Sequence, residues 1–165
     1  LELQDRGMAC TGLDLSAGAI TVAAERGVRE TIQADIRKYE AGTFDTILLL
    51  MNGAGLAGTL RELGGFLRHI KKLLAADGQI LLDSSDLQYL YERDTDGGIW
   101  VPADRAYYGE LTYQWRYDGL TSPAFPWLFV DFDTLCRVAT LEGLSCEQVL
   151  EGPHYDYLAK LQAVT

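Results

Sequence analysis

The sequence predicts an α/β protein: a mostly parallel sheet with helices on both faces, closed by antiparallel strands at its C-terminal end. Three observations predict it. Short apolar runs alternate with helical patterns through the first half, which is the signature of βαβ units. The run Phe44-Asp45-Thr46-Ile47-Leu48-Leu49-Leu50-Met51 holds six consecutive apolar or β-branched residues and reads as a strand buried on both faces, as in a parallel sheet. The last segments, Cys146–Leu150 and Tyr157–Ala163, flank Gly152-Pro153 and read as an antiparallel pair.

Taken in order, Met8–Leu13 is a short apolar strand ending in Asp14, and Ser16 is placed to cap a helix that Gly27 stops after Arg26. Arg29–Ala34 is extended and ends in Asp35. After the strand at Phe44–Met51, a helix over Thr59–Ala75 carries Leu60, Leu63, Phe66, Leu67, Ile70, Leu73 and Leu74 on one stripe. Asp77-Gly78 is read as its stop and Gln79–Asp83 as the next strand. The stretch from Leu87 to Trp127 holds ten aromatic residues and little helical periodicity. Within it Glu110–Tyr117 alternates like a half-exposed strand. Asp133 is read as the cap of a helix over Thr134–Leu141. No linker or repeat interrupts residues 1–165, which read as one domain with a substrate-pocket insertion at 87–127.

Composition narrows the function. With 24 acidic against 14 basic residues the formal charge is −10, and phosphate neutralisation needs clustered Lys and Arg, so no nucleic-acid partner is expected. No uncharged apolar stretch of about 18 residues exists, so no membrane span is expected. Cys10, Cys136 and Cys146 stand at wide spacing without a C-x-x-C, and the two histidines are isolated. Neither a disulfide framework nor a metal site is indicated, the cysteines read as small buried hydrophobes, and a reducing cytoplasmic setting follows.

Ligands of an open parallel sheet sit beyond the carboxyl ends of its strands. The residues there are Asp14, Asp35, Met51-Asn52-Gly53 and Asp83-Ser84-Ser85. An acid at a strand tip accepts hydrogen bonds from a ribose diol, and a second acid one strand on reaches an adenine amino group. Asp14 and Asp35, about twenty residues apart, suit a nucleoside in this way, while either alone is equally a turn or helix cap. Gly53-Ala54-Gly55-Leu56-Ala57-Gly58 also has the spacing of a dinucleotide-binding turn.

The order of these features resembles a class I S-adenosylmethionine-dependent methyltransferase, a Rossmann-like fold. Cys10-Thr11-Gly12-Leu13-Asp14-Leu15-Ser16 is similar to the family's second strand, whose terminal acid holds the cofactor ribose. Gln33-Ala34-Asp35-Ile36 is similar to the segment that flanks the adenine, and Phe44 through Met51-Asn52 to the fourth strand, whose end lies beside the methionine moiety and the methyl acceptor. Leu73–Asp83 is similar to the helix, glycine turn and fifth strand. The resemblance implies S-adenosyl-L-methionine as cofactor, bound by Asp14, Leu15, Asp35, Ile36, Met51 and Asn52, and a small-molecule acceptor. It names no catalytic residue.

Leu1–Gly7 resembles only the tail of the family's first helix, so the expectation is a chain lacking the first strand and glycine-rich loop, with reduced or no activity of its own and an open sheet flank. Aromatic faces and acids in the insertion (Asp86, Glu92, Asp94, Asp96, Asp104, Glu110) suit a cationic amine or a small aromatic acceptor. Two further readings stay open: an NAD(P)-dependent oxidoreductase using Gly53–Gly58, and a non-catalytic Rossmann-like binding or oligomerisation module, which leaves a homo-oligomer open.

Overall fold

The computed structural model describes residues 1–103 and 105–164, which divide into two compact units, Leu1–Ala41 and Gly42–Thr165. In the first unit a short helix α1 (Glu2–Asp5) precedes strand β1 (Thr11–Asp14), helix α2 (Ala17–Glu25) and strand β2 (Glu30–Gln33). β1 and β2 pair in parallel, with Asp14 opposite Gln33. Local chemistry explains α2: Ser16 is extended and its hydroxyl accepts from Ala19 N at 3.2 Å, and Gly27 at φ +96° ends the helix. Gln4, buried beneath this βαβ unit, donates to Gly27 O and accepts from Arg29 N, each at 3.0 Å, so both ends of its amide are satisfied.

The second unit is built on a four-stranded sheet in the order β3-β4-β10-β9. β3 (Phe44–Leu49) and β4 (Leu74–Ser85) are parallel, while β10 (Asp156–Ala163) lies antiparallel between β4 and β9 (Leu144–Glu151). A 3-10 turn at Gly53–Ala57 and helix α3 (Leu60–Lys71) connect β3 to β4. Helix α3 buries Leu63, Phe66, Leu67 and Ile70, and helix α4 (Phe132–Leu141) buries Leu135 and Ala139. Arg68 grips both oxygens of Glu142 at 2.7 and 2.9 Å. Lys71 Nζ reaches Glu142 O and Gly143 O at 3.1 and 2.8 Å, a cation on carbonyls just past the C-terminal end of α4. Between β4 and α4 the aromatic segment forms two hairpins: β5 (Glu110–Tyr113) with β8 (Phe125–Leu128), and β6 (Arg116–Tyr117) with β7 (Leu120–Thr121).

Five sequence expectations are corrected. The β3 run is not buried on both faces: it is an outer strand, Leu49 is buried, but Leu48 is 42% exposed. α3 ends at Lys71 and β4 begins at Leu74, because Leu73 is buried and its carbonyl accepts from Phe44 N at 2.9 Å, which starts sheet pairing where helix was expected. A bulge over Ala75–Gly78 follows, and only glycine fits at Gly78, where a Cβ would lie 2.9 Å from Phe44 O. The cap of α4 is Asp131, whose Oδ1 accepts from Thr134 N at 2.9 Å, and Asp133 lies in the first turn. Glu110–Tyr117 splits at Gln114-Trp115 into β5 and β6. Finally, Cys136 of α4 and Cys146 of β9 form a disulfide with Cα atoms 5.3 Å apart; Cys10 remains free.

Candidate functional site

The carboxyl tips of β1 and β2 carry the first pair of candidate residues. Asp14, exposed, uses Oδ1 to accept from Ser16 N at 2.7 Å, and no described residue donates to its Oδ2. Leu15 beside it is 67% exposed. Ala34 N donates to Asp14 O at 3.0 Å, which holds the turn carrying Asp35 and Ile36 against the tip of β1. Asp35 Oδ1 accepts from Arg37 N at 3.0 Å and from Arg37 Nε at 3.2 Å, and Oδ2 from Arg37 Nη2 at 3.2 Å. The Arg37 guanidinium therefore holds the Asp35 carboxyl below the usual carboxylate range, against a smaller upward push from partial burial.

The tips of β3 and β4 form a second, separately built centre. Met51 and Asn52 both adopt left-handed backbone, at φ +63° and +61°, a conformation that costs a non-glycine residue about 1 kcal/mol or more and is concentrated at functional sites. Met51 is thereby turned outward, 89% exposed. Asn52 is pinned instead: its Nδ2 donates to Leu128 O at 3.0 Å and its Oδ1 accepts from Ser84 Oγ at 2.9 Å. Ser84, 1% exposed, accepts in turn from Val130 N at 3.0 Å, and Asp83 Oδ1 accepts from Gly53 N at 3.1 Å. No buried side-chain polar atom among the described residues lacks a partner, and these bonds hold the turn after β3 in place.

One residue beyond Val130, Asp131 extends the network into the aromatic segment. The Tyr107 hydroxyl donates to Asp131 Oδ2 at 2.5 Å and accepts from Asp131 N at 3.0 Å. The Tyr108 hydroxyl stands 3.1 Å from the same Oδ2 and 2.9 Å from Asp86 Oδ1; having one proton, it serves one carboxylate at a time. Burial pushes the Tyr107 and Tyr108 hydroxyls well above the ordinary tyrosine range, and the carboxylates that accept from them reinforce the shift. For Asp131 burial acts upward, but donation from Tyr107, Thr134 and Tyr108 outweighs it and leaves the carboxyl below its usual range. Tyr108 and Tyr107 line an open cavity of about 450 Å³, walled further by Gln88, Ile99, Val101 and Arg105.

Other sequence candidates have structural work. The glycines of Gly53–Gly58 pack on the protein itself: a Cβ on Gly55 would fall inside the Trp127 indole, and one on Gly53 would lie 2.6 Å from Leu49 Cβ. The turn is 3-10, with α3 beginning only at Leu60, so its glycines admit the chain's own side chains rather than a pyrophosphate. Of the acids proposed for a cation, Glu110 accepts from Leu60 N at 2.8 Å, Asp86 from Gln88 N at 2.9 Å, and Asp94 and Asp96 from Thr95 N and Gly98 N within one local turn. Asp104 lies outside the described residues. No group of three or more potential metal ligands occurs among the described residues, and no described helix is long and apolar enough to cross a membrane. Sequence reasoning missed Asp131; its signal was the spacing Asp131-x-x-Thr134, which competed with the equally plausible Asp133.

A parallel pair with acids at its carboxyl tips, and a sheet in which an antiparallel strand is inserted beside the last parallel one, define a Rossmann-like nucleoside-binding class. The chain belongs to the class I S-adenosylmethionine-dependent methyltransferases, whose cofactor is S-adenosyl-L-methionine. Residues 1–82 match a methyltransferase-domain family. A SAM-dependent methyltransferase from Bacteroides fragilis, solved in complex with S-adenosyl-L-homocysteine, is 40% identical, with a TM-score of 0.89 over 99% of this chain and 66% of that one. The present chain thus spans just under two thirds of that relative. The sugar N-methyltransferase KedS8 from Streptoalloteichus (15% identity, TM-score 0.65, 94% of this chain, 71% of that one) shares the fold. So does the CcbJ methyltransferase from Streptomyces caelestis (10%, 0.69, 99% and 78%). No curated protein matches the sequence.

Proposed function

We propose that the protein transfers a methyl group from S-adenosyl-L-methionine to a small-molecule acceptor. The observation that carries this reading is the pair of carboxylates at adjacent parallel strand tips, Asp14 opposite Gln33 and Asp35 two residues beyond it. The donor set suits the cofactor. Asp14 keeps its turn bond from Ser16 N on Oδ1 and offers Oδ2 to a vicinal diol, and Leu15 supplies an apolar surface beside it. Asp35, kept ionised by Arg37, retains lone pairs for an amino group of the base, with Ile36 adjoining. For Met51 and Asn52, which belong to the second unit, the family resemblance carries the proposal: Met51 projects its side chain at the β3 tip, and side-chain bonds hold Asn52 beside it.

The bound cofactor supplies an electrophilic methyl carbon on a sulfonium. The chain's own contribution is then binding, orientation and exclusion of water, since little acid–base chemistry is needed. Segment 87–127 supplies the acceptor side, where Tyr107 and Tyr108 are locked onto Asp131 and Asp86 as a rigid wall.

The test is calorimetric titration of the chain with S-adenosyl-L-homocysteine, beside Asp14→Asn. The amide oxygen can still accept from Ser16 N, so the turn that places the Ser16 cap of α2 is kept, while a charged acceptor for the diol is lost. Loss of a charge-assisted hydrogen bond, about 1.5–3 kcal/mol, weakens binding roughly 10- to 150-fold. Unchanged affinity would reduce Asp14 to a helix brace, and no binding to the parent chain would favour the non-catalytic module.

A further inference from the structure

We infer that the cavity walled by Gln88, Ile99, Val101, Arg105, Tyr107 and Tyr108 binds the carboxylate of an acceptor with an apolar or aromatic body. Calling its occupant the methyl acceptor rests on the proposed methyl transfer; the anion preference does not. The cavity, about 450 Å³, holds a ring-sized molecule. Among the described residues that line it, Arg105 is the one ionised side chain. Its Nη1 donates to the Tyr91 hydroxyl at 2.9 Å, and that hydroxyl donates to Tyr108 O at 2.7 Å, so the guanidinium is held by a relay anchored on the cavity's own wall. Nε and Nη2 have no acceptor among the described residues, and a guanidinium whose remaining donors form a fork matches a carboxylate in two parallel bonds.

None of the described acids nearby lines the cavity. Asp131 and Asp86 lie behind the tyrosines and accept their hydroxyls, and Asp94 and Asp96 accept backbone N–H groups of their own turn. With both tyrosine protons donated inward, the wall offers ring faces and hydroxyl lone pairs but no hydroxyl proton, and the Gln88 amide nitrogen already donates to Tyr108 Oη at 3.3 Å. Arg105 is then the charged donor left for a ligand, beside the second amide proton of Gln88. Ile99, Val101 and Ala106 supply the apolar remainder.

The experiment titrates isotope-labelled protein with benzoate, benzylamine and benzyl alcohol, one shape in three charge states, and follows the amides of Gly97, Gly98 and Ala106 by NMR. Expected is saturable binding of benzoate, weakened at least tenfold by Arg105→Gln, partly kept by Arg105→Lys, and weakened by added salt. Arg105 is exposed, so neither variant threatens folding; unchanged amide spectra away from the cavity confirm this. Equal binding of the three probes, preference for benzylamine, or no saturable binding of benzoate overturns the inference. S-adenosyl-L-homocysteine titrated into the same sample separates the two ideas: cofactor binding without benzoate selectivity removes the anion pocket alone, and benzoate selectivity without cofactor binding removes the methyl-transfer reading alone.

Discussion

Tyr107→Phe isolates the bond that ties the aromatic segment to the start of α4. The ring and its packing are kept; one oxygen is lost. That oxygen donates to Asp131 Oδ2 at 2.5 Å and accepts from Asp131 N at 3.0 Å. Losing a hydrogen bond to a carboxylate costs about 1.5–3 kcal/mol, and a half-buried N–H left without a partner adds about 1–2 kcal/mol. Tyr108 offsets part of this by committing its proton to Asp131, 3.1 Å away, at the expense of Asp86. The net loss expected at neutral pH is about 2–4 kcal/mol. Urea unfolding reads it as a lower midpoint at unchanged slope. The sign with pH is fixed as well. Asp131 is held below its unfolded value, so its contribution is present above about pH 4 and is lost as pH falls through its folded pKa. Without the Tyr107 hydroxyl much of that contribution is already gone, so the gap between variant and parent narrows on going from pH 7 to pH 3. A loss below about 0.5 kcal/mol at pH 7, or a gap that does not narrow in acid, would refute the role given to this pair.

Alkali should act on the same region. Burial raises Tyr157, whose hydroxyl donates to Val130 O at 2.7 Å, so its stabilisation is complete below the unfolded value near pH 10 and falls above it. The expected slope is about 1.4 kcal/mol per pH unit from Tyr157, with Tyr107 and Tyr108 adding in the same direction but screened by solvent. Unfolding followed between pH 9 and about 11.5 checks it, and flat stability there would contradict the burial of these hydroxyls. Gly55→Ala would place a methyl inside the Trp127 indole, so overpacking of about 1–3 kcal/mol and a thermal midpoint lower by roughly 3–10 °C are expected. Smaller Trp127→Leu in the same chain should recover part of the loss; an unshifted midpoint in the single variant would return those glycines to a ligand-binding role.

The signals that were legible in the sequence are the local ones. Ser16 and Gly27 bound α2 through bonds within four residues, and the βαβ order followed from them and from the apolar runs. The misreadings occur where distant partners decide. Leu73 and Leu74 continue the helical stripe, yet pairing of Leu74 with Phe44 across the sheet takes them into β4. The run after Phe44 reads as doubly buried because composition records what a residue prefers to touch, whereas β3 has a sheet neighbour on one side only. Asp131 and Asp133 are equal as caps on paper; Tyr107, twenty-four residues upstream, bonds the first of them and settles which is used. The Cys136–Cys146 bridge depends on α4 packing against β9, which wide spacing in sequence conceals.

The second centre explains why no compact catalytic signature is visible. The bond from Asn52 to Leu128 O spans 76 residues, and that from Val130 N to Ser84 spans 46. Ser84 Oγ has one proton and gives it to Asn52 Oδ1, which fixes which end of the Asn52 amide accepts and leaves Nδ2 for Leu128 O. The left-handed turn at Met51-Asn52 is thereby held by side-chain bonds that compensate its backbone cost. Chemistry that proceeds by orientation asks for rigidity of this kind rather than for a titrating base. Disrupting Ser84 should accordingly loosen Asn52 and Val130 together: Ser84→Ala leaves the Val130 N–H and one side of the Asn52 amide unpaired in a site 1% exposed, a cost far above that of removing an exposed hydroxyl.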